Sequence, residues 1–319
     1  MIFGDFLIRF SLYKVMNCDA FSLDHKKYIA NQIKNISTAD LEKDMNKLIH
    51  IGKNAHSTSS RSRIGNSVVD YFTFVERLET KGKYDTNFFS FIRNIEEFKK
   101  KKFIQTMMTY YKDVKNKNHT KNEYIVLKEV YNICISAINI MRPLNCMEMY
   151  TKYEAKRVLN FCAGWGGSTV AAAALNLEAC YGVEINTELK QPYDNMVSYL
   201  KTKCDTIFDI RIEDALNVDY SNMVYDTVFS SPPYYFIEKY ANNTKYASKM
   251  EMDEKFYKPL FTKTYNGLQI GGHYIINVCK EVYDNVLQGL LGEAHEAFPL
   301  KKSKRQNNHT EIVYVWIKK

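Results

Sequence analysis

The amino-acid sequence predicts an α/β fold in which a mostly parallel sheet, finished by an antiparallel C-terminal strand, follows an α-helical N-terminal domain. Three observations carry that expectation. Apolar residues recur at three- and four-residue spacing through the first half of the chain, with almost no strand-like alternation. Beyond residue 156 the pattern becomes a repeated strand, turn and helix. The last run, EIVYVWI at 311–317, alternates in the manner of a half-buried strand.

In the first half, DHKKYIANQIKNI (24–36) and ADLEKDMNKLIHIG (39–52) read as helices, the second capped by Ser37 or Thr38. NSVVDYFTFVERLE, DTNFFSFIRNIEEF and FIQTMMTYYKDV continue the helical spacing. NEYIVLKEVYNICISAINIM (122–141) is long and apolar enough to pack against whatever follows. Between the second and third helices, HSTSSRSRIGN (56–66) is small, polar and basic: either a linker or a segment that orders on a ligand. KKKK at 99–102 and KNKNHTKN at 115–122 read as charged turns that face water.

In the second half, RVLNF (157–161) is a short apolar strand that runs into AGWGGS, and STVAAAALNL (168–177) is a strong helix. CYGVEIN (180–186) is a second strand and LKQPYDNMVSYL (189–200) a second helix. TIFDIRI (206–212), VYDTVF (224–229) and, after the turn GLQIGG, HYIINV (273–278) supply three more strands. Strands that alternate with helices form a mostly parallel sheet covered on both faces. The expected domains are residues 1–140 and 141–319.

Composition narrows the function. At 45% hydrophobic and 25% charged residues the chain is globular rather than disordered. No run of 18 apolar residues occurs, so no membrane-spanning helix is expected. The N-terminal MIFGDFLIRFSLYKVM carries an Asp and an Arg within its apolar stretch and reads as folded structure, not a signal peptide. Seven scattered cysteines without a C-x-x-C argue for a reducing compartment, cytoplasmic or nuclear, and against secretion, a disulfide framework or a zinc site. A net charge of +8 favours a polyanionic partner without establishing one.

Four strand ends carry candidate chemistry. After the first strand, NFCAGWGGS places glycines at 164, 166 and 167 before an alanine-rich helix, so a ligand can approach the backbone near the helix N-terminus. It is neither G-x-G-x-x-G nor a phosphate loop. Glu184 ends the second strand about twenty residues later, where an acid accepts hydrogen bonds from ribose hydroxyls, and Ile185 beside it suits an adenine face. Asp214 after the third strand reads either as an acceptor for an adenine amino group or as an ordinary helix-start acid. The fourth strand delivers FSSPPYY. Its prolines remove N–H groups and stiffen the turn, leaving the Ser231 hydroxyl and the Pro232 carbonyl to face an amino group, with Tyr234 as a flat surface for a base.

Together these residues resemble the S-adenosylmethionine-dependent amino-methyltransferases, which methylate exocyclic nitrogens of cytosine or adenine. That family has a glycine-rich first motif and a [D/N/S]-P-P-[Y/F/W] fourth motif, matched here by NFCAGWGG and SPPY over roughly residues 141–319. The likeness is closest to phage and large-DNA-virus enzymes, and IMRPLNCMEMYTKY is similar to the segment that precedes the first strand in them. The resemblance implies a Rossmann-like methyltransferase sheet with S-adenosylmethionine as cofactor. It implies cofactor contacts from Arg142, Pro143, Asn160, Phe161, Ala163, Gly164, Gly166, Glu184, Ile185 and Asp214, and a target-base site at Ser231, Pro232, Pro233 and Tyr234. Asn160 departs from the family's usual Asp and Cys162 from its frequent Phe. An Asn orients the loop but does not pair with the charged amine of methionine, which implies either weakened cofactor binding or a shifted role for Glu148 or Glu154.

The implied substrate is nucleic acid, DNA before RNA, with the serine of SPPY favouring cytosine N4 over adenine N6. Recognition is assigned to the helical half, helped by the basic HSTSSRSR and by KKSKRQNNH at 301–309. The rival readings are an RNA adenine or protein glutamine methyltransferase, and a catalytically silent nucleic-acid-binding subunit of the same fold.

Overall fold

The computed structural model describes residues 21–136, 138–235, 244–300 and 312–319. The chain divides into two compact units, Met1–Ser37 with Phe74–Asn139, and Thr38–Thr73 with Ile140–Lys319. Thr38–Thr73 therefore groups with the sheet rather than with the other helices, which a single cut at residue 140 does not anticipate.

The helices of the first half are α1 (Leu23–Ile33), α2 (Thr38–Ile51), α3 (Asn66–Leu78), α4 (Phe88–Arg93), α5 (Ile95–Lys99), α6 (Lys102–Thr109) and α7 (Glu123–Cys134). The division between units falls inside α3. Asn87 caps α4 by accepting the Ser90 N–H at 2.8 Å, and Asn122 caps α7 by accepting the Ile125 N–H at 2.9 Å. The run DTNFFSFIRNIEEF breaks at Asn94, which leaves helical geometry at φ −103° and ψ 26° while its backbone and side-chain N–H groups both donate to the Ser90 carbonyl, at 3.0 and 2.9 Å. α7 ends well before residue 141 because the Ser136 N–H turns back to the Tyr131 carbonyl at 3.1 Å. In the first unit's core, Phe88 and Phe91 meet Tyr131 edge-on at 5.5 and 5.6 Å. The Tyr131 hydroxyl reaches the Thr80 and Thr86 carbonyls.

The second unit is built on β1 (Arg157–Asn160), β2 (Ala179–Glu184), β3 (Ile207–Ile212), β4 (Tyr225–Ser230), β5 (Leu268–Val278), β6 (Glu296–Pro299) and β7 (Ile312–Ile317), in the order β3-β2-β1-β4-β5-β7-β6. Strands β1 to β5 run parallel, and β7 is antiparallel to both β5 and β6. This is the Rossmann-like α/β sheet that the sequence predicts, with two differences. β6 is an added edge strand, too short and irregular to show alternation. GLQIGG is not a turn before β5 but its irregular start. The pairing slips between Tyr225↔Leu268 and Thr227↔His273, and Gly271 takes up the distortion at φ +79°.

The central strands β1 and β4 are buried along most of their length, as a sheet covered on both faces requires. On one face Leu159, Val183, Val228, Tyr274 and Ile276 pack with Leu260 and Phe261 of the helix Lys258–Asn266. On the other, Phe229 meets Tyr150 of the helix Pro143–Lys152 edge-on at 6.4 Å. Among the described residues no helix is long and apolar enough to cross a membrane.

The amino ends of β1 and β4 are fastened by one carboxylate. Asp226 accepts the N–H groups of Lys156 and Arg157, the latter at 2.9 Å, and the Thr227 hydroxyl at 2.8 Å. Asp226→Ala leaves those donors without a protein partner and is expected to cost about 1–3 kcal/mol. Thermal denaturation checks this, and an unchanged midpoint contradicts the assignment.

Candidate active site

In an open α/β sheet the binding crevice lies outside the carboxyl ends of the strands, where the strand order reverses. Here that point is between β1 and β4. The two strand ends, Asn160 and Ser230, are joined by the Ser230 hydroxyl donating to Asn160 Oδ1 at 2.8 Å. Asn160 is only 5% exposed, and its side chain also accepts the Cys162 N–H at 3.1 Å and donates to the Ser168 hydroxyl at 3.0 Å. The amide thus holds the glycine turn, the start of the following helix (Gly167–Ala174) and the SPPYY turn as one body.

The glycine turn is anchored at every step. The Ala163 N–H donates to the Val183 carbonyl at 2.8 Å and the Gly164 N–H to Glu184 Oε2 at 2.8 Å. The Gly164 carbonyl accepts the Tyr193 hydroxyl at 3.0 Å. Gly164 has φ +57°, and a Cβ there would meet nothing nearer than the Cys162 carbonyl oxygen at 4.0 Å, so the turn opens onto free space. At Gly167 the opposite holds, since a Cβ would lie 1.8 Å from the Met141 carbonyl oxygen. Phe161 points away from this opening, 1% exposed in the core and edge-on to Phe261 at 6.1 Å.

Glu184, half-buried at the end of β2, also accepts the Asn186 N–H at 2.9 Å. Burial pushes its carboxyl up to about 7, against the lowering effect of the Asn186, Gly164 and Ile185 amides. These backbone donors still leave a carboxylate with an acceptor site to spare. Ile185 follows it, half-buried. Asp214 is half-buried past β3 and accepts the Leu216 N–H at 2.9 Å, so its turn-forming role is realised. Arg142 donates to the Ser60 and Ser62 carbonyls, at 2.6 and 3.3 Å, and so pins the basic loop HSTSSRSR from inside. Its guanidinium pKa is lowered by burial and by nearby Arg63. Pro143 follows it as the first residue of its helix. Glu154 precedes β1 at the opposite, amino end of the sheet, so it does not stand in for a carboxylate at position 160. KKSKRQNNH and MIFGDFLIRFSLYKVM lie outside the described residues.

Beyond β4, Ser231 and Tyr234 bring their hydroxyls to 3.1 Å. Asn277 of β5 donates to both, at 3.0 and 2.9 Å. Pro232 is buried, and among the described residues no donor meets its carbonyl. The Pro233 carbonyl accepts the Tyr257 hydroxyl, which itself accepts the Tyr235 N–H at 3.1 Å. Tyr235 is held at φ +38° with its hydroxyl on Asp253 at 2.9 Å. Asp253 and Tyr257 bound a π-helical turn, a geometry that re-aims side chains toward functional sites. Sequence reasoning missed Asn277, Tyr257 and Tyr193. Asn277 leaves a signal, a polar residue inside the apolar run IINV; the two tyrosines leave none.

The family profile described as RNA cap guanine-N2 methyltransferase matches residues 155–314, which is 160 of the 319 residues and contains the glycine turn, Glu184, Asp214 and SPPYY. The chain belongs to that family. It is a family of S-adenosylmethionine-dependent methyltransferases. No curated protein matches the sequence. Among solved structures, the chain is similar to TrmN from Thermus thermophilus, at 16% identity and a TM-score of 0.42 over 55% of this chain and 48% of that one. It is also similar to an rRNA methylase from Streptococcus thermophilus, at 15% identity and 0.36 over 57% and 99%. A third is an S-adenosylmethionine-dependent O-methyltransferase from Thermotoga maritima, at 16% and 0.39 over 57% and 67%. The chain thus spans about half the length of the Thermus thermophilus protein.

The residues present fit the cofactor. The open side of Gly164 admits a ligand against the backbone, and the Glu184 carboxyl beside it suits a vicinal diol.

Two measurements check the geometry. Folded Glu184 keeps its proton up to about pH 7, whereas an unfolded glutamate releases it near 4.5. The folded state then binds more protons, so stability falls as pH rises between those values and is flat above them. Denaturation of Glu184→Gln is expected to lack that slope, and parallel pH curves for both proteins contradict the assignment. Tyr257→Phe strands the buried Tyr235 N–H and the half-buried Pro233 carbonyl, and is expected to cost about 1–3 kcal/mol with little change in cofactor affinity.

Proposed function

We propose that this protein transfers a methyl group from S-adenosylmethionine to the exocyclic N2 amine of a guanine in RNA. The observation that carries the reading is the family match over residues 155–314, with SPPYY at the switch point across from the glycine turn. The expectation of a DNA substrate and of cytosine N4 finds no support in that match, whose described chemistry is a guanine amine on RNA. Both bases offer the same group, an aromatic amine with two hydrogens to donate, which is why SPPY alone does not separate them.

In this reading Gly164, Gly166 and Ala163 line the cofactor through their backbone, Glu184 holds its ribose, Ile185 and Asp214 its adenine, and Arg142 with Pro143 shapes the wall beside the helix start. Asn160 and Phe161 act indirectly, by fixing the turn. When bound, S-adenosylmethionine supplies a methyl on a positively charged sulfur that leaves as a neutral thioether. The lone pair of an aromatic amine is delocalised into its ring and is a poor nucleophile. The Ser231 hydroxyl and the Pro232 carbonyl accept the two amine hydrogens and so localise that lone pair on nitrogen. Tyr234 stacks under the ring, and Pro233 keeps the turn stiff. Positioning then supplies much of the rate, and the methylated, positively charged amine releases one proton to water after transfer.

Incubation with labelled cofactor and separate pools of capped RNA, uncapped RNA and DNA, followed by digestion to nucleosides, tests this. N2-methylguanosine from RNA is expected, and capped RNA is expected to be the better pool. N4-methylcytosine or N6-methyladenosine, or no methylated nucleoside, overturns the reading. Ser231→Ala is expected to lower turnover by about 10- to 100-fold, the value of one strong hydrogen bond, and to leave cofactor affinity intact.

A further inference from the structure

Asn277 is a polar residue in a strand that otherwise has every reason to be apolar. It sits one residue from the end of β5, is 1% exposed, and pairs across the ladder with Val313 of β7. Its Oδ1 is buried without a hydrogen-bond partner among the described residues. An orphaned amide oxygen in a core is unfavourable, and a leucine or valine would avoid it. The residue's other end explains its presence. Nδ2 carries two hydrogens, one directed to the Ser231 hydroxyl oxygen at 3.0 Å and one to the Tyr234 hydroxyl oxygen at 2.9 Å.

Counting protons around this triangle determines what Ser231 presents to a ligand. The Tyr234 hydroxyl donates its own hydrogen to the Asn277 backbone carbonyl at 3.4 Å. Either oxygen can donate in the Ser231–Tyr234 contact at 3.1 Å, and with the tyrosine hydrogen on the carbonyl it is the serine that supplies it. Ser231 Oγ has one lone pair occupied by Nδ2 and its hydrogen occupied by tyrosine. What remains is a single lone pair. We propose that Asn277 is a positioning residue that makes Ser231 an acceptor only. The turn then selects a ligand group that donates, an amine, and repels ring nitrogens and carbonyl oxygens that accept. Without the amide, the serine can rotate its hydrogen toward the ligand and accommodate the wrong partner.

The inference rests on the amine-site reading above, and the test separates the two. Turnover, cofactor affinity and melting temperature are measured for Asn277→Leu, Asn277→Asp, Ser231→Ala and the Asn277→Leu/Ser231→Ala double variant. Inhibition by RNA carrying inosine, which lacks the exocyclic amine, in place of the target guanosine is measured alongside. Asn277→Leu is expected to lower kcat by about tenfold with cofactor affinity within about twofold of wild type. It is also expected to bind the inosine RNA more tightly relative to the guanosine RNA. Asn277→Asp, whose carboxyl can engage the Ser231 and Tyr234 hydroxyls in either protonation state, is expected to keep more activity than the leucine variant. It keeps the test decisive if leucine prevents folding, because an aspartate variant that folds but is inactive overturns the proposal. On the Ser231→Ala background the leucine substitution is expected to add no further loss; full additivity means that Asn277 does not act through Ser231 and overturns the proposal. Unchanged guanosine-to-inosine preference in a folded Asn277→Leu also overturns it. Wild-type turnover in Ser231→Ala itself defeats the amine-site reading, and the proposal falls with it.

Discussion

One buried amide holds the functional end of the sheet together. Asn160 accepts from Ser230 across the gap between β1 and β4, and donates to Ser168 at the start of the following helix. At that gap the chain leaves in opposite directions from neighbouring strands, so no backbone ladder joins the two turns that follow. A carboxylate in this position can only accept. An amide does both, which lets it tie a serine on either side from a site closed to water. The Asn160 side chain is turned inward, its oxygen and its nitrogen both engaged by neighbouring groups of the protein.

Each turn is then pinned a second time by a tyrosine from a distant part of the chain. Tyr193 fixes the Gly164 carbonyl, and Tyr257 bridges Pro233 and Tyr235. Prolines cannot satisfy their neighbours through N–H groups, so the SPPYY turn depends on side-chain hydroxyls for its shape. The positive φ of Tyr235 is tolerated because its N–H, ring and hydroxyl are all engaged, the ring edge-on to Tyr257 at 5.5 Å. Among the described residues no donor meets the Pro232 carbonyl.

Much of this was legible in the sequence because its signals are local. Strand ends, the glycine turn and SPPYY are read from period and from residues with special backbone freedom. The twenty-residue spacing from Gly164 to Glu184 translated directly into a 2.8 Å hydrogen bond. What escaped is mostly long-range. Asn277 lies 46 residues from Ser231 in sequence, and β6 acquires its identity only by pairing with β7. The break at Asn94 lies inside a run whose apolar spacing continues through it. The grouping of Thr38–Thr73 with the sheet reflects contacts that no periodicity encodes. The first residue of SPPY reports the chemistry of an amine, and the sequence carries no comparable signal for the ring that bears it.

The most direct measurement is a crystal structure of the protein with S-adenosylhomocysteine and a guanosine-terminated RNA. The account predicts the guanine N2 amine within hydrogen-bonding distance of both Ser231 Oγ and the Pro232 carbonyl, with Tyr234 against the ring and Glu184 on the cofactor ribose. A guanine seated elsewhere, or seated there with its amine turned away from Ser231, would contradict it.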